Sequence, residues 1–133
     1  MTGEQTAGRI KRGMDFGALR DAVESGNLDA LLGFYAEEAE LRVVDAARPR
    51  GAAFELEGRA KIGKYLRTVR DGGTSIAFNG GAVSNDRGIA FVEECRYPDG
   101  AQVSVETMLE VEEGLIVRQV DVVSAEPAQR RER

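Results

Sequence analysis

The run Gly114-Leu115-Ile116-Val117-Arg118-Gln119-Val120-Asp121-Val122-Val123 is rich in β-branched residues and carries no proline. Branched side chains stand well on a pleated surface, so this stretch is expected as a strand over Leu115–Ser124. Successive residues of a strand face opposite sides. Strict alternation puts Leu115, Val117, Gln119, Asp121 and Val123 on one face, with Ile116, Arg118, Val120 and Val122 on the other. By alternation alone, either face could be the inner one.

Working backwards, Glu113-Gly114 reads as a turn after a strand at Ala101–Glu112, in which Val103, Val105, Thr107, Leu109 and Val111 share an apolar face. Pro98-Asp99-Gly100 is a second turn. The strand before it, Ile89–Tyr97, groups Ile89, Phe91, Glu93, Cys95 and Tyr97. Asn85-Asp86-Arg87-Gly88 turns the chain out of a strand at Thr74–Ser84, whose Asn79-Gly80-Gly81 marks a bulge or bend. The second half of the chain is therefore a meander.

Towards the N-terminus the period changes. Phe16, Leu19 and Val23 recur at helical spacing over Phe16–Ser25, and Gly26 stands where a helix ends. Asn27 can cap a second helix from Leu28 to Tyr35 or slightly beyond, striped by Leu28, Leu31, Leu32 and Tyr35. Ala39–Asp45 alternates as a strand with Leu41, Val43 and Asp45 on one face. Ala46–Glu57, with Pro49 and Gly51, reads as a loop, and Ile62, Leu66 and Val69 stripe a third helix that begins near Gly58 and ends near Asp71-Gly72-Gly73. Three helices and a sheet of antiparallel strands make an α+β fold. The domain is expected over residues 15–124, between a flexible basic leader at 1–14 and a flexible charged tail at 125–133.

This order of elements resembles the SnoaL-like and ketosteroid-isomerase-like members of the nuclear transport factor 2 superfamily. The resemblance rests on Ser25-Gly26-Asn27-Leu28-Asp29-Ala30-Leu31-Leu32 with Phe34-Tyr35-Ala36-Glu37-Glu38-Ala39-Glu40-Leu41, on Glu57-Gly58-Arg59-Ala60-Lys61-Ile62, and on the run ending at Val123. It implies a cystatin-like roll, in which a cone-shaped curved sheet wraps three helices and encloses a pocket, and a homodimer formed through the sheet. It also favours the face with Asp121 as cavity lining, leaving Ile116, Val120 and Val122 outside. In SnoaL-type polyketide cyclases the last strand carries a His-Trp-Asp run; here the Asp is Asp121, preceded by Gln119 and Val120. The isomerase pattern matches less well: its helix-one Tyr falls near Leu19 and its protonated acid near Thr107, so only Asp45 could stand in for its base.

The chemistry this leaves is carboxylate chemistry. The chain has no histidine and one cysteine, Cys95, so triads that need histidine are excluded and no metal site or cofactor is expected. Asp121 and Asp45 are the candidate catalytic pair, with Tyr35, Phe91, Glu93, Tyr97, Thr107 and Gln119 as candidate substrate-binding residues. The shared faces allow Asp45, Glu93 and Asp121 to converge, and any two that approach closely in an apolar cavity repel each other and are poorly solvated, which separates their pKa values into an acid and a base. The competing structural roles are an Asp121 paired with an arginine such as Arg59 or hydrogen-bonded at the pocket rim, a turn started by Asp45, and a solvated or interfacial Glu93. The expected function is a pocket for a small apolar organic molecule, acting as a cofactor-free isomerase or cyclase on a carbonyl compound; the alternative is a non-catalytic ligand-binding or dimeric interaction module.

The net charge of −5 includes basic ends, Arg9-Lys11-Arg12 and Arg130-Arg131-Arg133, which leave the stretch between them at about −8. An acidic surface disfavours nucleic acid. No stretch approaches the roughly 20 apolar residues of a membrane span, and MTGEQTAGRIKRG lacks the apolar core of a secretory signal, so a cytoplasmic location is expected.

Overall fold

The computed structural model describes residues 14–45 and 52–125. The leader, the charged tail and the Ala46-to-Gly51 part of the expected loop lie outside the described residues, apart from Met14 and Ala125. Helix α1 spans Phe16–Ser25; Asp15 caps it by accepting from the Ala18 amide at 3.0 Å. Gly26, at a φ of 72°, closes its other end in the left-handed conformation that glycine adopts without strain. Asn27 then caps α2 (Leu28–Leu32) through a 3.1 Å bond from the Ala30 amide.

The second helix is shorter than its apolar stripe suggests. Tyr35 belongs instead to strand β1 (Tyr35–Asp45), because the Phe34 carbonyl accepts from the Ile116 amide at 2.7 Å and starts a ladder with the last strand. The expected loop also contains a strand, β2 (Ala52–Glu57), which pairs antiparallel with β1 from Glu40↔Glu57 to Asp45↔Ala52. Pro49 and Gly51 dominated the local signal there, whereas the strand is held by its partner: Leu41 faces Leu56, and Arg42 meets Glu55 at 2.6 Å. Helix α3 follows at Arg59–Asp71.

The expected strand at Thr74–Ser84 is two, β3 (Ser75–Phe78) and β4 (Val83–Ser84), separated where Gly80 takes a φ of 85°. Both pair with β5 (Gly88–Arg96), which is followed by β6 (Gln102–Glu112) and β7 (Leu115–Ala125). The strands form one curved, unclosed seven-stranded sheet in the order β2-β1-β7-β6-β5-β3. The pairings are antiparallel except for β1 with β7, which is parallel, so the sheet is mixed.

The face assignment of β7 needs one correction. Glu110 opposes Arg118 but Val111 opposes Ile116, so Val117 is an extra residue, a β-bulge. Beyond the bulge the phase slips by one: Ile116 is fully buried inside, while Leu115 is 37% exposed. Gln119, Asp121 and Val123 keep the inner face as expected. The core packs Leu19, Leu41, Ile62 and Ile116 between helices and sheet, each worth roughly 1.5–3 kcal/mol of burial. Phe16, Phe78 and Phe91 fill one side of it, with Phe78 and Phe91 stacked at 4.6 Å. Among the described residues, no helix is long and apolar enough to cross a membrane.

Candidate functional site

Register builds the site row by row on the inner face. One row runs Phe91, Thr107, Asp121, Val43 across β5, β6, β7 and β1; the next runs Glu93, Val105, Val123, Asp45. Asp121 and Glu93 therefore flank β6 in adjacent rows, on strands about 10 Å apart. Beneath the helices this face encloses a cavity of about 170 Å³, and Asp121, Glu93, Tyr35, Phe91, Tyr97 and Gln119 all line it. Most of its remaining wall is apolar, including Leu19, Val43 and Val105, and no Lys or Arg among the described residues contributes to it.

Hydrogen bonds fix one end of Asp121. Its Oδ1 accepts from Gln119 Nε2 at 2.9 Å and from the Thr107 hydroxyl at 3.1 Å. Gln119 is itself set by Tyr35, whose phenol donates to Oε1, so the amide can only present its nitrogen to Asp121. Thr107 thus orients the carboxylate and is buried behind it. Every fully buried side-chain oxygen or nitrogen among the described residues has a partner. Asp121 Oδ2 and the Glu93 carboxyl accept no hydrogen bond there, so both are reached from the cavity.

Burial pushes the Asp121 carboxyl up to about 6, although the bonds from Gln119 and Thr107 pull the other way. Burial, helped by the Asp121 charge, pushes Glu93 further, to about 8. Burial likewise raises Tyr35 well above the usual phenol range and Cys95, with Glu93 and Asp121 beside it, to about 12. The thiol and the Tyr35 phenol are thus neutral near pH 7. One carboxyl there is largely ionised and the other largely protonated.

The other anticipated residues fall as follows. Asp45 ends β1 and does not line the cavity; its charge contributes, last among several causes, to raising Tyr65, whose pKa reaches about 12 chiefly through burial. Tyr97 lies at the rim, 38% exposed. Arg59 does not pair with Asp121 but donates to the Tyr35 carbonyl at 3.4 Å. Val69, Thr74 and Ile76 also line the cavity. Sequence reasoning did not assign them to it, because their placement depends on how α3 and β3 converge. Glu93 had a signal: it is the one charged residue on the Ile89–Tyr97 face. Among the described residues, no group of three or more His, Cys, Asp or Glu is arranged to hold a metal ion.

A family model described as a SnoaL-like domain matches residues 16–119. Several solved structures share the fold. A candidate polyketide cyclase of Xanthomonas campestris pv. campestris aligns at a TM-score of 0.60 and 20% identity, over 80% of this chain and 85% of its own. A candidate ketosteroid isomerase of Kribbella flavida gives 0.60 and 18%, over 83% and 76%. An LEH-like epoxide hydrolase of M. tuberculosis gives 0.61 and 13%, over 82% and 79%. At such identities the likeness is one of fold. No curated protein matches the sequence.

Proposed function

We propose, for a chain that belongs to the SnoaL-like domain family, that the cavity binds a small, largely apolar carbonyl compound and moves a proton on it without a cofactor. The observation that carries this is the pair of carboxyls in one apolar cavity with separated pKa values, Asp121 at about 6 and Glu93 at about 8. Asp121 is the base, and its partner in this reading is Glu93 rather than Asp45. Ionised Asp121 takes a proton from the carbon beside the carbonyl. The carbon's electron pair moves into the C–C bond, the carbonyl oxygen becomes an enol oxygen, and protonated Glu93 supplies the proton that oxygen needs. Return of a proton to a different carbon completes an isomerisation; attack of the enol carbon on a second carbonyl completes an aldol-type ring closure. Apolar walls strengthen both carboxyls' interactions by excluding water.

Proton abstraction can be followed without knowing the natural substrate. Small ketones such as butanone are incubated in D2O and loss of their α-proton signals is followed by NMR. Wild-type protein accelerates the exchange between about pH 6 and 8, where Asp121 is ionised and Glu93 protonated. Asp121→Asn lowers the rate by roughly 100-fold or more. An unchanged rate in that variant would remove Asp121 from the base role.

The outer face favours a homodimer. Ala90, Met108 and Val120 form an apolar row across β5, β6 and β7, extended by Val83 on β4; Met108 is 53% and Val83 78% exposed. Beside it lies a row of alternating charge, Glu40, Arg118 and Glu110, with Arg118 at 3.9 and 3.6 Å from the two carboxylates. We therefore assign this face to a second copy of the chain.

A further inference from the structure

A cavity of about 170 Å³ is small beside the 300–1,000 Å³ typical of ligand sites. A second hollow, of about 240 Å³, lies between the C-terminal ends of α1 and α3 and the start of β3. The two share six wall residues: Val23, Leu31, Leu66, Val69, Thr74 and Ile76. All six are half-buried, as side chains are when each flank meets open space. A single layer of side chains thus separates the hollows, and five of its six members are aliphatic with rotatable ends. The outer lip is polar: Glu24 and Arg70 stand there, Glu24 held by the Phe78 amide at 2.8 Å and by Arg20 at 3.4 Å.

We propose that this groove is the tail subsite of the Asp121 cavity, so that the ligand is a chain-bearing carbonyl compound whose head lies at Asp121 and Glu93 and whose alkyl tail passes between Leu66, Val69 and Ile76 into the groove. This rests on the acid–base reading for the position of the head. The groove's shared aliphatic wall suits methylene groups, which offer no polar atom to satisfy, and its polar lip lies where a chain would emerge into water. Together the two hollows reach the size that one alone lacks.

A series of methyl ketones from four to twelve carbons tests it, with affinity measured by calorimetry and α-proton exchange by NMR. In the wild type, affinity rises by about fourfold per added methylene beyond the length the inner cavity holds. Val69→Trp, which fills the partition, ends that rise at short chains. Ser75→Trp does the same while butanone binding persists, from an exposed position that lines the groove and not the Asp121 cavity, so a folding defect at Val69 does not obscure the result. An affinity that is flat with chain length, or a rise that survives both variants, overturns the tail subsite while leaving Asp121-dependent exchange untouched. A chain-length rise blocked by both variants, but with no exchange that depends on Asp121, keeps the subsite and removes the acid–base reading.

Discussion

Asp121 and Glu93 are both buried carboxyls on the inner face of the sheet, yet their surroundings differ. Asp121 receives two hydrogen bonds that stabilise its charged form, whereas Glu93 receives none from the described residues and is raised further by the Asp121 charge. These differences set the order of their pKa values, with a consequence for stability. A carboxyl whose folded pKa lies above its unfolded value holds more protons in the folded chain between the two, so stability falls as pH rises through that interval. For Glu93 the interval runs from 4.5 to about 8, and for Asp121 from 3.8 to about 6. Glu93→Gln, which cannot ionise, is therefore expected to be more stable than wild type above pH 8, by on the order of a few kcal/mol. The difference shrinks towards nothing near pH 4. Thermal melts of both proteins across this range check it, and equal melting temperatures at pH 9 would show that the charge is adequately solvated. The sequence marked both residues, because each is an acid at an alternate position of an apolar strand face. It allowed them to converge with Asp45 but did not say which two would share the cavity, since Glu93 and Asp121 lie on strands separated by β6.

At the scale of the element, β7 shows how a single residue changes what a pattern means. With the Asp121 face taken as inner, alternation over Leu115–Ser124 puts Leu115 inside and Ile116 outside, and the bulge at Val117 reverses both. Nothing in a run of branched residues marks which one will be extra; the pairing partners of β6 and β1 impose it. Ile116→Ala should cost about 2–5 kcal/mol in urea unfolding, as fully buried aliphatic truncations do. Leu115→Ala should cost less than about 1 kcal/mol. Equal costs would contradict the bulge. The same dependence on partners explains β2 and the early end of α2. Glu55 and Leu56 form a strand because Arg42 and Leu41 oppose them, and Tyr35 leaves the helix because Ile116 offers its neighbour a ladder hydrogen bond. Where signals were local, as at Gly26 and Asn27, the elements begin and end where the residues indicate.

Across the whole molecule the curved sheet separates two surfaces, a concave one holding the carboxyls and an outer one carrying the apolar row through Met108 and Val120. If a second copy covers that row, Met108→Lys combined with Val120→Glu should convert a dimer into a folded monomer in light scattering coupled to gel filtration. A wild-type monomer at micromolar concentration would dismiss the assignment. Periodicity, caps and turn residues were enough to place three helices before a meander of strands, and the absence of histidine turned attention to carboxylates. These are properties of neighbouring residues, governed by backbone geometry and side-chain shape, and one chain carries them openly. Three features lay beyond it: the parallel contact of β1 with β7, a cavity lined by Glu93 and Asp121 but not by Asp45, and the groove between α1, α3 and β3. Each arises where segments far apart in sequence meet, and the desolvation that raises both carboxyls exists only once helices and sheet have closed over them.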